Sequence, residues 1–249
     1  EADAEKAVNA YNTLKDNGMK VFIGTVTTGA CLSVVSQTKA DNMFQITPSA
    51  SAAKVIANDN CFQVCFTDPN QGTASADYIA SKGLATKVAV IYNSSDAYSS
   101  GIYDNFKAEA AAKGLDLVAS EAFTGDSKQD FSSQLSKIKA SGAELIFLPI
   151  YYQEASLILS QAKNAGITAK FFGCDGLDGL LNIENFDKSL AENVMLLTPF
   201  AANATDETTK KFVAAYNAKY DPSTLNQFAA DAYDAVYVVK AAAEKAGVT

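Results

Sequence analysis

Two bursts of small hydroxyl residues follow two short apolar runs. Residues 20–24 (KVFIG) lead into Thr25, Thr27 and Thr28, and residues 43–46 (MFQI) lead into Thr47, Ser49 and Ser51 around Pro48. Each run reads as a strand that delivers hydroxyls and backbone amides at its carboxyl end. In an open parallel α/β sheet that end faces the ligand crevice, and a helix N-terminus there attracts an anion. Two neighbouring strand ends of this kind are suited to holding a small carboxylate. The plainer alternative is that Thr28 and Ser51 only cap helices, as such residues commonly do.

What the chain lacks narrows the chemistry further. All 20 basic residues are lysine; arginine, histidine and tryptophan are absent. Without histidine the commonest general base and metal ligand is missing. Without arginine there is no bidentate clamp for a carboxylate or phosphate, so an anion must rely on hydroxyls, amides and helix ends. A net charge of −8 disfavours nucleic acid and anionic membrane surfaces. Neither a GxGxxG nor a GxxxxGK[ST] loop is present to cradle a nucleotide, and no cofactor is implied. A carboxylate pair such as Asp68 with Asp175 is the nearest thing to an acid–base couple, and catalysis is not expected.

The 249 residues suffice for one large or two medium domains. No apolar run approaches the roughly 18 residues of a membrane span. The four cysteines, Cys31, Cys61, Cys65 and Cys174, lack metal-type spacing. In CFQVC the pair stands roughly 13 Å apart at strand rise, too far to bridge. Cys31 remains a geometric option for Cys61 or Cys65, but thiols are expected. No signal peptide is visible, which a trimmed mature chain would share with a cytosolic one.

The elements that must position these residues alternate helix and strand. A helix is expected over 3–17, with Ala4, Ala7, Val8, Tyr11 and Leu14 on one face. Strands follow at 20–25, 43–46 and 62–66. The segment 67–70 (TDPN) breaks the pattern before a helix over 71–82. Then come a strand at 87–92, a polar loop NSSDAYSSG, a helix to about 113, and a strand at 115–119. A helix over 131–140, a strand at 145–148, a helix over 155–165 and strands at 170–172 and 194–197 complete the middle. Helices over 206–219 and 228–246 close the chain. Repeated βα units imply parallel sheets flanked by helices. The breaks at Asp68-Pro69 and Thr198-Pro199 divide the chain into two lobes, 1–68 with 199–249 and 69–198. The chain opens inside a helix and stops on one, so a longer natural form is expected.

The motif order VFIGTVTTGA, ITPSASA, CFTDPNQG, KVAVIYNSSDAYSSG, GDSKQDFSSQLSKIKASGAELIFLPIYY, FFGCDG and AADAYDAV covers nearly the whole chain. It resembles the branched-chain amino-acid type of periplasmic binding protein, the extracytoplasmic substrate-binding component of an ABC importer. That resemblance implies the type I fold, two α/β lobes closing on a ligand about hinges near 67–69 and 198–201. The family's first βαβ segment and final strands are absent here, so one pocket wall is unaccounted for. The resemblance places Thr28 on a ligand carboxylate, Ser49 as a carbonyl acceptor for an ammonium, and Ser51 on the ligand through hydroxyl and amide. Tyr98 and Tyr151 would wall the pocket, Asp175 would take the ammonium, and Phe228 sits near a position that is often aromatic. It also implies a monomer in the periplasm or a cell-surface lipoprotein, with a membrane permease as partner and a small amino acid, by default leucine, isoleucine or valine, as ligand. The same fold serves as the sensory ectodomain of receptors, which is the alternative.

The residues themselves fit that reading. A zwitterion needs an anion site and a cation site a few ångströms apart; Thr28 with Ser51 supplies one and Asp175 the other. A carboxylate desolvated in a cleft is costly unless paired. Against this stand plainer roles: Asp175 as a turn residue in CDG, Tyr151 as lobe core, and Tyr98 as a solvated turn residue.

Overall fold

A computed structural model describes residues 2–248. In chain order the elements are α1 (Ala4–Asp16), β1 (Val21–Ile23), α2 (Thr28–Ala40), β2 (Phe44–Thr47), β3 (Cys61–Gln63), α3 (Asp68–Ser81), β4 (Lys87–Asn93), α4 (Ala97–Ala112), β5 (Asp116–Phe123), α5 (Ser132–Ser141), β6 (Leu145–Leu148), α6 (Tyr152–Asn164), β7 (Lys170–Gly173), β8 (Met195–Leu196), α7 (Glu207–Asn217) and α8 (Gln227–Ala246). Parallel sheets flanked by helices make this the expected α/β class. Two compact units emerge. The first runs through Thr67 and takes in Ala202–Ala214 and Asn226 onward; the second comprises Asp68–Ala201 with Ala215–Leu225. Each unit has its own sheet, ordered β1-β2-β3 in the first and β5-β4-β6-β7-β8 in the second, every pairing parallel.

In the first unit, Asp3 starts α1 by accepting the Lys6 amide, an N-cap that satisfies one orphan donor of the first turn. The apolar face of α1 brings Tyr11 onto Phe22 of β1, edge to face at 5.3 Å, with Val34 of α2 completing the cluster. The Tyr11 hydroxyl leaves that core to donate to Asp41 at 2.8 Å. Gln45 of β2 is buried, and both ends of its amide are satisfied. Its Nε2 donates to the Gly24 carbonyl at 3.0 Å, and its Oε1 accepts from Thr38 at 2.7 Å. A buried amide left unsatisfied would cost about 1–3 kcal/mol, so this pair fastens α2 to the carboxyl end of β1. All four cysteines are buried thiols. β1 lies at one edge of its sheet with Val21 and Ile23 exposed, as are Val236 and Tyr237 of α8.

In the second unit β6 is buried at every position, and the sheet carries a core on each face. Phe106, Phe147 and Phe172 lie on one face, Ile91, Phe131, Ile146 and Ile158 on the other. α3 and α4 pack so closely that a Cβ on Gly72 would stand 2.6 Å from the Ile102 carbonyl oxygen. Several boundaries differ from the sequence reading (β3 ends at Gln63, β5 runs to Phe123 and α6 begins at Tyr152), and two of the differences bear on the candidate site. α3 begins at Asp68 rather than after Asn70, because proline in a first helical turn forfeits no hydrogen bond. The supposed polar loop around Tyr98 is the first turn of α4, started by Asp96 accepting the Ser99 amide. Among the described residues no helix is long and apolar enough to cross a membrane.

Candidate functional site

The carboxyl ends of the strands gather the candidate residues into two groups, one in each unit. In the first unit, Thr28 opens α2 and is buried. Its Oγ1 is not a helix cap. It accepts the backbone amides of Ser51 at 3.2 Å and Ala52 at 3.4 Å, tying the segment after β2 to the head of α2. Thr47 performs a similar local task, donating to the Thr25 carbonyl and accepting the Ala50 amide. The Ser51 hydroxyl is buried and has no hydrogen-bond partner among the described residues. The Ser51 amide, expected to face a ligand, is instead given to Thr28. At the N-cap position of α2, Thr27 makes no side-chain cap, and no acidic residue occupies the first turn. α1, α4 and α8 differ, each having a capping Asp or Asn side chain. The head of α2 therefore presents uncapped amides, and the positive end of its dipole, next to an unused hydroxyl.

Ser49 takes a different part. Its hydroxyl donates to Asp231 Oδ2 on α8 at 2.8 Å, and both residues are buried. Asp231 was not singled out from the sequence. It lies in the AADAYDAV motif, and the visible signal was an acid among the small and apolar residues of a helix. Phe228 is half-buried in the first turn of α8. Behind this group burial pushes the Cys31 thiol up to about 11, against hydrogen bonds with Thr25 and Thr47. Cys31 therefore stays protonated and unreactive.

In the second unit the group centres on Asp175, in the 3₁₀ turn after β7 (Asp175–Leu177), only 4% exposed. The Tyr98 hydroxyl donates to Asp175 Oδ1 at 2.6 Å and accepts the Gly176 amide at 2.9 Å. The Asp175 amide donates to Gln71 Oε1 of α3 at 3.2 Å. Burial raises the Asp175 carboxyl to about 6, while the Tyr98 hydroxyl, the neighbouring Gln71 side chain and the Gly176 amide pull it down. The same burial, with Asp175 beside it, holds the Tyr98 hydroxyl well above the ordinary tyrosine range. Tyr98 is 2% exposed and stacks on Tyr151 at 4.7 Å between centroids, so it is neither a loop residue nor a solvated one. Tyr151, half-buried, precedes α6 at the end of the β6 connection. Gly176 fits only because it lacks a side chain: a Cβ there would meet the Ile150 carbonyl oxygen and the Tyr98 hydroxyl, each at 2.7 Å. Gln71 and Gly176 also went unnoticed in the sequence, although both stand inside motifs quoted above (CFTDPNQG and FFGCDG).

One unit offers a group of hydroxyls and uncapped helix amides. The other offers a buried carboxylate held by neutral donors. Among the described residues no cluster of three or more His, Cys, Asp or Glu side chains forms a metal site.

A family model described as "Periplasmic binding protein" matches residues 1–249. The Leu/Ile/Val-binding protein homolog 3 of Brucella melitensis biotype 1 is 32% identical, over 99% of this chain and 66% of its own length. The leucine binding protein of Thermotoga maritima MSB8 superposes with a TM-score of 0.89 at 28% identity, over 99% of this chain and 70% of that one. The branched-chain amino acid transporter substrate binding protein of Streptococcus pneumoniae, solved with isoleucine, gives 0.87 at 28% identity, over 97% and 69%. The chain spans about two thirds of the length of the curated relatives it matches.

Proposed function

The chain belongs to the periplasmic binding protein family, and on that premise we propose that it binds a small amino acid for an extracytoplasmic ABC importer. The ligand carboxylate lies on the α2 amides, Thr28 and the Ser51 hydroxyl, and its ammonium lies on Asp175. The observation that carries this reading is the pairing of opposite chemistries: an unused buried hydroxyl beside an uncapped helix head, and a buried carboxylate whose pKa is raised to about 6. A zwitterion answers both at once, because an ammonium offsets the desolvation of Asp175 and the helix head needs no arginine to hold a carboxylate. Tyr98 aims the Asp175 carboxyl, and Tyr151 and Phe228 supply apolar surface for a side chain. Relatives named for binding leucine, isoleucine and valine favour a branched ligand, a membrane permease as partner and a role without catalysis.

Calorimetry tests this on the intact protein stripped of co-purified ligand. Asp175→Asn is expected to weaken amino-acid binding by roughly tenfold to 150-fold, the worth of a charge-assisted hydrogen bond of about 1.5–3 kcal/mol. Unchanged affinity would remove Asp175 from the site.

A further inference from the structure

Buried beside Asp175 lies a side chain for which the ligand reading has so far no use. Gln71 sits in the first turns of α3 and is wholly buried. Its Oε1 accepts the Asp175 backbone amide, but its Nε2 is buried and has no hydrogen-bond partner among the described residues. One end of a buried amide is thus fixed to the Asp175 backbone while its donor end is uncommitted. Leaving such a donor unmade is costly, and an ionised carboxylate accepts from an N–H₂ far better than a protonated one.

Resting on the amino-acid reading of Asp175 above, we infer that Gln71 is a positioning residue that selects the ionised form of Asp175 for the ligand's ammonium. Oε1 fixes the height of the CDG turn. Nε2 is the uncommitted donor beside the turn, the Gln71 side chain favours the charged form of Asp175, and a protonated carboxyl would accept from such a donor far less well. The other ionisable groups facing this site bring no positive charge to it. Tyr98 of α4 and Cys174 of the turn itself stay neutral, both held well above their ordinary values by burial. Asp178, from the same turn, is a like charge that opposes ionisation. Asp68 of α3 acts on Cys174 in the same unfavourable sense. Tyr151 brings a ring stacked on Tyr98. Gln71, Tyr98 and the Gly176 amide are therefore the groups that favour the charged carboxylate against its burial, and Gln71 ties the turn to α3, as does Ser75, whose hydroxyl lies 3.8 Å from Cys174 Sγ.

The test is the pH dependence of leucine binding by calorimetry on the intact protein, wild type against Gln71→Met and Gln71→Glu. Methionine keeps the volume and removes both polar ends; glutamate adds a second carboxylate beside Asp175. Wild-type affinity should fall below a midpoint near pH 6. In Gln71→Met the midpoint should rise by about one to two pH units, the equivalent of one charge-assisted hydrogen bond. Affinity at pH 7 should then drop roughly two- to tenfold and recover at pH 8.5. Gln71→Glu should move the midpoint at least as far. A Gln71→Met protein whose affinity falls equally at every pH, with the midpoint unmoved, would make Gln71 purely structural and overturn the inference. A wild type with no acid limb would instead fault the assignment of Asp175 itself, so the two failures are distinguishable.

Discussion

Because burial raises the Asp175 carboxyl to about 6, its charged form is the costly one in the folded protein. A carboxylate raised above its unfolded value near 4 burdens the fold only where it must ionise. The burden is absent below about pH 4, grows between 4 and 6, and is complete above 6, where two units amount to about 3 kcal/mol. Urea unfolding of ligand-free protein should therefore show Asp175→Asn equal to wild type at pH 4 and more stable at pH 7, since asparagine can still accept from Tyr98. A wild type that is the more stable at pH 7 would mean that Asp175 is already well compensated. The two serines near β2 should separate in the same assay. Ser51 Oγ makes no internal hydrogen bond, so Ser51→Ala should unfold within about 0.5 kcal/mol of wild type while losing roughly two- to tenfold in affinity. Ser49→Ala strips a hydrogen bond from buried Asp231 and should cost about 1–3 kcal/mol of stability. Equal effects of the two on unfolding would contradict the division of roles.

The turn that presents Asp175 is shaped by packing as much as by hydrogen bonds. Gly176→Ala would drive a methyl into the Ile150 carbonyl and the Tyr98 hydroxyl. Overpacking of this kind costs about 1–3 kcal/mol, and because it displaces Tyr98 it should also weaken ligand binding. Gly72→Ala meets the Ile102 backbone between α3 and α4 and should destabilise comparably. Differential scanning calorimetry of both variants checks this, and an unaltered Tm in either would refute the packing argument. These elements were legible in the sequence to different degrees. Strands such as Leu145–Leu148 could be read directly, because a strand buried on both faces is a continuous apolar run. The start of α4 could not. The string NSSDAYSSG is polar enough to pass for a loop, yet Asp96 caps a helix whose buried residues Tyr98, Ile102 and Phe106 recur every four positions. Pro69 was read as a breaker, although a first helical turn accommodates it. The polar partners Gln71 and Asp231 were invisible for a different reason. A buried amide or acid acquires its meaning from a neighbour distant in sequence, 104 residues away for Gln71 and Asp175 and 182 for Ser49 and Asp231, and spacing along one chain does not reveal such a pair.

At the scale of the whole molecule each unit has its own chemistry, hydroxyls and helix amides in one and a buried carboxylate in the other. The absence of arginine and histidine is the clearest statement about function in the sequence, because it removes the bidentate clamp for a carboxylate and leaves hydroxyls and helix amides as candidates for the proposed anion site. The central claim is that the ligand carries both charges, and a des-amino analogue tests it most directly. Calorimetric titration of the intact, ligand-stripped protein at pH 7.5 would compare leucine with 4-methyl-2-oxopentanoate, which keeps the carboxylate and the branched side chain and lacks the ammonium. The oxo acid should bind at least tenfold to 150-fold more weakly, because it leaves Asp175 desolvated with no positive charge beside it. Equal affinity for the two would contradict the account.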